Sequence, residues 1–191
     1  MDRTYIEDKT FISQNFSTQV FLYGEYDTCT FIKCNFSGID LSGVHFSDCV
    51  FDGCDLTTAK LVQAAFKNVT FKECKLLGLH FEDCSRFLFC LDFYNCILNL
   101  SSFNGLSLKK RKFDNCQLHE VDFTDADLSE SVFTICDFRR TIFLNTNLEK
   151  ADFSTSFNYS IDPESNKLKK AKFSLPAVIG LLDKYQLEIS R

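Results

Sequence analysis

Residues 29–56 read CTFIKCNFSGIDLSGVHFSDCVFDGCDL. Phe31, Phe36, Leu41, Phe46, Phe51 and Leu56 recur every fifth residue. Cys29, Cys34, Cys49 and Cys54 each stand two residues before one of them. A period of five fits neither the 3.6 of a helix nor the 2.0 of a strand. It needs a backbone that returns to one inward orientation every five residues.

The spacing extends well beyond this stretch. Counting in fives, every position from Phe11 to Phe81 is Phe, Tyr or Leu. The count then slips by two, resumes at Leu88 and Phe93, and runs to Phe153. The ladder takes 18 of the 22 Phe, too many for chance. A square coil meets the requirement, with five residues to a side and twenty to a turn. Successive turns then stack like paired strands, one strand spacing apart.

Two residues before each ladder position lies a smaller residue, such as Ala59, Ala64, Val69, Val121, Ala126, Ser131 or Ala151. A narrow coil has room there for little more. Eight of the ten cysteines occupy this slot. Six form one series, at 34, 54, 74, 96, 116 and 136, and its single interval of 22 falls where the Phe ladder slips. The cysteines therefore read as a column of small interior fillers. They do not read as a metal centre, which needs four converging ligands. His45, His80 and His119 fall at outward positions and join no cysteine group.

Units such as CNFSG, IDLSG, ADLSE, CDFRR and ADFST resemble the pentapeptide-repeat proteins. The resemblance spans about residues 11 to 153. It implies an all-β solenoid, a right-handed quadrilateral β-helix, over residues 1–173, with regular repeats at 11–81 and 88–153, a break at 82–87 and a loop at about 158–166. A short C-terminal capping α-helix is expected over residues 174–191. Ser174 would be its N-cap, with Pro176 in the first turn.

Size, cytoplasmic character and helical tail make the chain similar to the quinolone-resistance (Qnr-type) proteins and to the immunity proteins of producers of topoisomerase poisons. That resemblance implies a non-enzymatic DNA mimic that binds DNA gyrase or topoisomerase IV. It also implies a homodimer through the C-terminal helix, using Val178, Ile179, Leu181, Leu182 and Tyr185. The alternative is a structural or interaction scaffold with an unrelated protein partner.

Charge agrees with a protein-binding role. The chain carries 26 acids against 21 bases, a net charge of −5, which argues against direct nucleic-acid binding. Residues 119–130, HEVDFTDADLSE, hold the densest acidic run: Glu120, Asp122, Asp125, Asp127 and Glu130. These are the candidate partner-binding residues. At the break, Arg86, Phe87 and Phe89 form a second candidate, with a plain corner bulge as the alternative. Arg86 and Arg111 fall in the small-slot register, where an unpaired charge is costly, so both guanidinium groups are expected to reach solvent.

No Ser–His–Asp or Cys–His set can be placed, and no glycine-rich phosphate loop exists. Catalytic residues, metals and cofactors are therefore not assigned. The N-terminus lacks a signal-peptide pattern and no run of about 18 apolar residues occurs, so a cytoplasmic protein with reduced thiols is expected.

Overall fold

The computed structural model describes residues 4–188. The strands are short because each wall of the coil is short. They are β1 Thr4–Glu7, β2 Thr10–Ile12, β3 Gly24–Asp27, β4 Thr30–Ile32, β5 His45–Ser47, β6 Val50–Asp52, β7 Ala65–Lys67, β8 Val69–Lys72, β9 Leu91–Tyr94, β10 Lys112–Asp114, β11 Val132–Thr134, β12 Asp152–Phe153 and β13 Lys172–Phe173.

Two sheets form from them, and all their pairings are parallel. The first wall is β1-β3-β5-β7, and the second is the nine-stranded order from β2 to β13. The register is one turn: Phe11 sits on Phe31, Phe31 on Phe51, and Phe51 on Phe71. Two further walls are columns of single bridges. Asn15–Asn35–Asp55–Lys75–Ile97–Gln117–Asp137–Phe157 marks the third, and His80–Ser102–Asp122–Ile142 marks the fourth. The first wall continues beyond the break as Ser107–Asp127–Asn147–Lys167. Nine stacked strands at ~4.8 Å give a rod about 38 Å long.

The ladder side chains fill the axis. On the second wall every rung is Phe, and the rings stack in an unbroken column from Phe11 to Phe173. Centroids lie 4.7 Å apart for Phe31–Phe51 and 5.6 Å apart for Phe71–Phe93, so the rings stack at close to strand pitch. Such pairs add about 0.5–1.5 kcal/mol each beyond the area they bury.

Most walls end in a left-handed residue two after the ladder position. Lys33, Glu73, Asn115, Asp125, Ile135 and Lys150 all have φ between 51° and 61°. This corner turns the chain onto the next wall. Only five such corners are glycine: Gly38, Gly43, Gly53, Gly78 and Gly105.

The small slot holds hydrogen bonds as well as volume. The Cys54 thiol donates to the Phe31 carbonyl at 3.3 Å and the Cys136 thiol to the Phe113 carbonyl at 3.3 Å. The Ser131 and Ser156 hydroxyls do the same toward Leu108 and Phe133, at 2.6 and 2.8 Å. Where Cys, Ser or Thr fills the slot, a ladder carbonyl one turn back gains a donor; Ala and Val fill the same slot without one. That role goes beyond the inert filler suggested by spacing.

The break differs in detail from the two-residue slip. Ser85 N–H bonds the Ala64 carbonyl, which sets Cys84 over Ala64. Cys90 N–H bonds the Phe66 carbonyl, which sets Phe89 over Phe66. Leu91 pairs with Val69. The chain therefore inserts three residues between Cys84 and Phe89 and loses one before Leu91. Leu88, which the spacing assigned to the ladder, is a left-handed corner residue 54% exposed, and Phe89 packs against the core instead.

The loop near 158–166 contributes to the core, since Tyr159 and Ile161 are buried. One other expectation changes. The C-terminal α-helix does not form. Ala177–Leu181 and Asp183–Tyr185 are short 3-10 turns without a side-chain N-cap. Gly180 explains this. Its carbonyl accepts a bond from Ile161 N–H, and a Cβ on it would run into the Tyr159 carbonyl oxygen. Docking on the last coil takes a carbonyl that an α-helix would use internally. The segment is also too short to hold a helix by itself.

Candidate functional site

The interior offers no accessible chemistry. All ten cysteines are free thiols, and nine are buried. Burial pushes the Cys49 thiol up to about 12 and raises Cys74 as well. Cys90 is the half-exposed exception, and the Arg111 guanidinium lies on its sulfur. Arg111 also donates to the Lys109 carbonyl at 3.2 Å and approaches Asp92 at 3.9 Å. It is thus mostly covered and partnered, whereas Arg86 is exposed as expected. Among the described residues no group of three or more His, Cys, Asp and Glu is placed to hold a metal ion.

The outer surface carries the remaining candidates. Asp122 and Asp127 lie just before ladder residues, on the fourth and first walls. Their carboxylates accept the backbone N–H of Thr124 and Ser129, at 2.8 and 3.0 Å. They stiffen the corner as well as charge it. Glu120, Asp125 and Glu130 are left-handed corner residues at φ 56°, 57° and 61°. The structure therefore spreads these five acids around three successive corners and two walls.

Two of the five are neutralised. Glu120 pairs with Arg140 one turn on, at 3.4 Å. Glu130 meets Lys109 at 3.5 Å and Lys110 at 3.8 Å. Such exposed pairs are worth about 0–1 kcal/mol, so a stronger anion-binding partner could displace them. Asp125 has the freest carboxylate of the set.

Asp137 was not singled out by sequence. Burial works against its ionisation, but hydrogen bonds from Asn158 and His119 hold its carboxyl below the usual range. Arg139 completes the cluster at 3.7 Å. A cavity of about 460 Å³ opens beside it, lined by Asn95, Asn115, Gln117, Ile135 and Phe157 among others. Only stacking reveals this grouping, because its members lie twenty or so residues apart.

At the break, Phe87 is 78% exposed and Leu88 is exposed beside it, while Phe89 faces inward. Arg86 reaches over Gly105, a left-handed corner at φ 63°. Of this candidate trio, Arg86 and Phe87 are available to a partner and Phe89 is engaged with the core.

The C-terminal set divides similarly. Leu181 packs against the core and Val178 is half-buried. Ile179, Leu182 and Tyr185 are exposed, and Tyr185 donates to Glu164 at 2.9 Å. Lys184 pairs with Asp162 and Glu164 at 2.7 and 2.6 Å, pinning the cap to the preceding loop. With no helix present, the helix-mediated dimer loses its structural basis.

No helix among the described residues is long and apolar enough to cross a membrane. Two family models match the sequence: a pentapeptide repeat region over residues 25–87, and pentapeptide repeats (8 copies) over residues 116–154. Together they cover just over half of the chain. No curated protein sequence matches it. Among solved structures, one trypsin-treated variant of QnrB1, a plasmid-mediated fluoroquinolone resistance protein, is 19% identical with a TM-score of 0.50, covering 97% of this chain and 99% of that one. A second such variant is 20% identical with a TM-score of 0.50, covering 98% of each chain. At this identity the likeness is one of fold.

Proposed function

On the premise that this chain belongs to the pentapeptide-repeat family, we propose that it is a non-enzymatic, DNA-mimicking protein. In this reading it acts in the cytoplasm, binding DNA gyrase or topoisomerase IV and protecting the enzyme from quinolones or from a topoisomerase-poisoning toxin.

The observation that carries the reading is a narrow, rigid rod with carboxylates held on fixed corners. The Asp122 and Asp127 carboxylates are held by the backbone N–H groups of Thr124 and Ser129, and Asp125 projects from the left-handed corner between them. Preorganised acids offer a basic saddle a negative surface at little entropic cost. Magnitude limits the extent of the match. A net charge of −5 over about 38 Å is one charge per ~8 Å, against one per ~1.7 Å for duplex DNA. Mimicry would therefore be local, centred on the acidic corners rather than running the length of the rod.

A supercoiling assay tests the proposal. The protein should inhibit gyrase at high concentration and at lower concentration restore supercoiling in the presence of a quinolone. Asp122→Asn/Asp125→Asn/Asp127→Asn should weaken both effects about tenfold, with the fold retained by circular dichroism. No effect on either enzyme, with or without drug, would drop this reading in favour of a scaffold with another protein partner.

A further inference from the structure

The first wall carries a charge gradient that neither the repeat nor the acidic corners explain. Among the described residues its first three coils present Glu7, Asp8, Glu25, Asp27 and Asp48, and no lysine or arginine. Its last two coils present Lys150, Lys167, Lys169 and Lys170, with Glu149 as the sole acid. Among the described residues none of these four lysines forms an ion pair. Lys150 and Lys170 are corner residues one turn apart, so like charges stand a strand spacing from each other. Such a column is unfavourable unless something negative lies across it.

The middle of the same wall carries exposed apolar side chains beside Arg86. The insertion between Cys84 and Phe89 takes the outward position that Ala65 holds one turn earlier, so it projects from this wall. It presents Phe87, 78% exposed, and Leu88, 54% exposed. Counting the turns of the wall from β1 to Lys167, the insertion sits on the fifth of nine. Four turns lead back to the acidic end and four lead on to the basic end.

We infer that the first wall is a self-complementary surface whose occupant is a second copy of this chain, lying antiparallel. A two-fold axis through the insertion brings the first turn of one copy against the ninth of the other. Glu7 and Asp8 then face Lys167, Lys169 and Lys170 twice over, once at each end. Phe87 and Leu88 of both copies meet at the centre. An isologous contact requires this arrangement, in which each patch meets its complement in the partner. Apolar residues at the centre with charges at the rim is also the usual anatomy of an interface.

The size is sufficient for a reversible dimer. A wall about 38 Å long and roughly 15 Å wide gives about 600 Å² per copy, the lower end for stable complexes. Lys67, Arg86, Lys109 and Lys110 also face this surface, as do His45, Asp127 and Glu130, and Arg86 flanks the apolar pair at the centre. Glu130 already balances Lys109 and Lys110, so the net gradient survives. A contact of this kind is steered by charge and weakened by salt.

Sedimentation of the full chain tests it. A dimer is expected at low salt, weakening at least tenfold in roughly 0.5 M salt. Lys167→Glu/Lys169→Glu/Lys170→Glu makes both ends acidic, and Glu7→Lys/Asp27→Lys/Asp48→Lys makes both basic. Each variant alone should lose about tenfold in self-affinity, and an equimolar mixture of the two should recover a heterodimer. That rescue cannot come from misfolding. Four results would overturn the inference. The chain could stay monomeric under all these conditions. It could form a dimer indifferent to charge reversal. It could assemble beyond two copies, as head-to-tail stacking would. Or it could form a dimer abolished by Ile179→Asp, which would place the contact at the C-terminal cap.

Discussion

At the scale of the residue, two positions in each five are specified and the others are permissive. The ladder side chain fills the axis, and the slot two before it admits only a small side chain, which donates to a carbonyl one turn back where it is Cys, Ser or Thr. The corner two after the ladder is left-handed on most walls. That conformation costs an L-residue about 1 kcal/mol or more, and a β-branched side chain suffers most. Ile135 accepts it at φ 53° with its side chain largely in solvent. Ile135→Asn should therefore raise stability by about 0.5–1 kcal/mol, measured by denaturant unfolding. The corners were hard to read from sequence for a related reason. Glycine marks only five of them, while Thr58, Gln63, Glu73 and Arg140 turn the chain equally well because their neighbours on adjacent turns hold them there. The ladder and slot were legible because burial restricts which side chains they admit.

At the scale of the element, the two departures from regularity have local causes. The insertion between Cys84 and Phe89 was visible as a net shift of two. Its composition of three residues gained and one lost was not, because Leu88 and Phe89 are both acceptable ladder residues by type. Backbone bonding to Ala64 and Phe66 decides in favour of Phe89. The C-terminal cap misled in the opposite way. Its apolar spacing is genuinely helical, yet Gly180 is drawn against Tyr159, and docking wins over an internal hydrogen bond. Gly180→Ala should lift the cap from the last coil and cost about 1–3 kcal/mol. The check is faster amide exchange at Ile161, whose N–H bonds the Gly180 carbonyl.

At the scale of the molecule, the fold was far more legible than the surface. Every outward position tolerates many residues, so the acids at 120–130 looked like one patch in the linear sequence. Coiling distributes them around the rod and places Arg140 and Lys110 beside two of them. The grouping that coiling creates, with acids at one end of the first wall and lysines at the other, is invisible until residues twenty apart are stacked.

The stacked backbone bonds have a mechanical meaning as well. They run parallel to the rod axis, joining each turn only to its neighbours. A force applied through the two chain ends meets them one turn at a time rather than all together. The rod should open like a zip under optical tweezers, in a staircase of nearly equal steps. Each step should release about 20 residues, or about 70 Å of contour. The turn that contains the insertion would lengthen one step by two residues. A single all-at-once rupture would mean that the aromatic column along the second wall binds the turns into one mechanical unit.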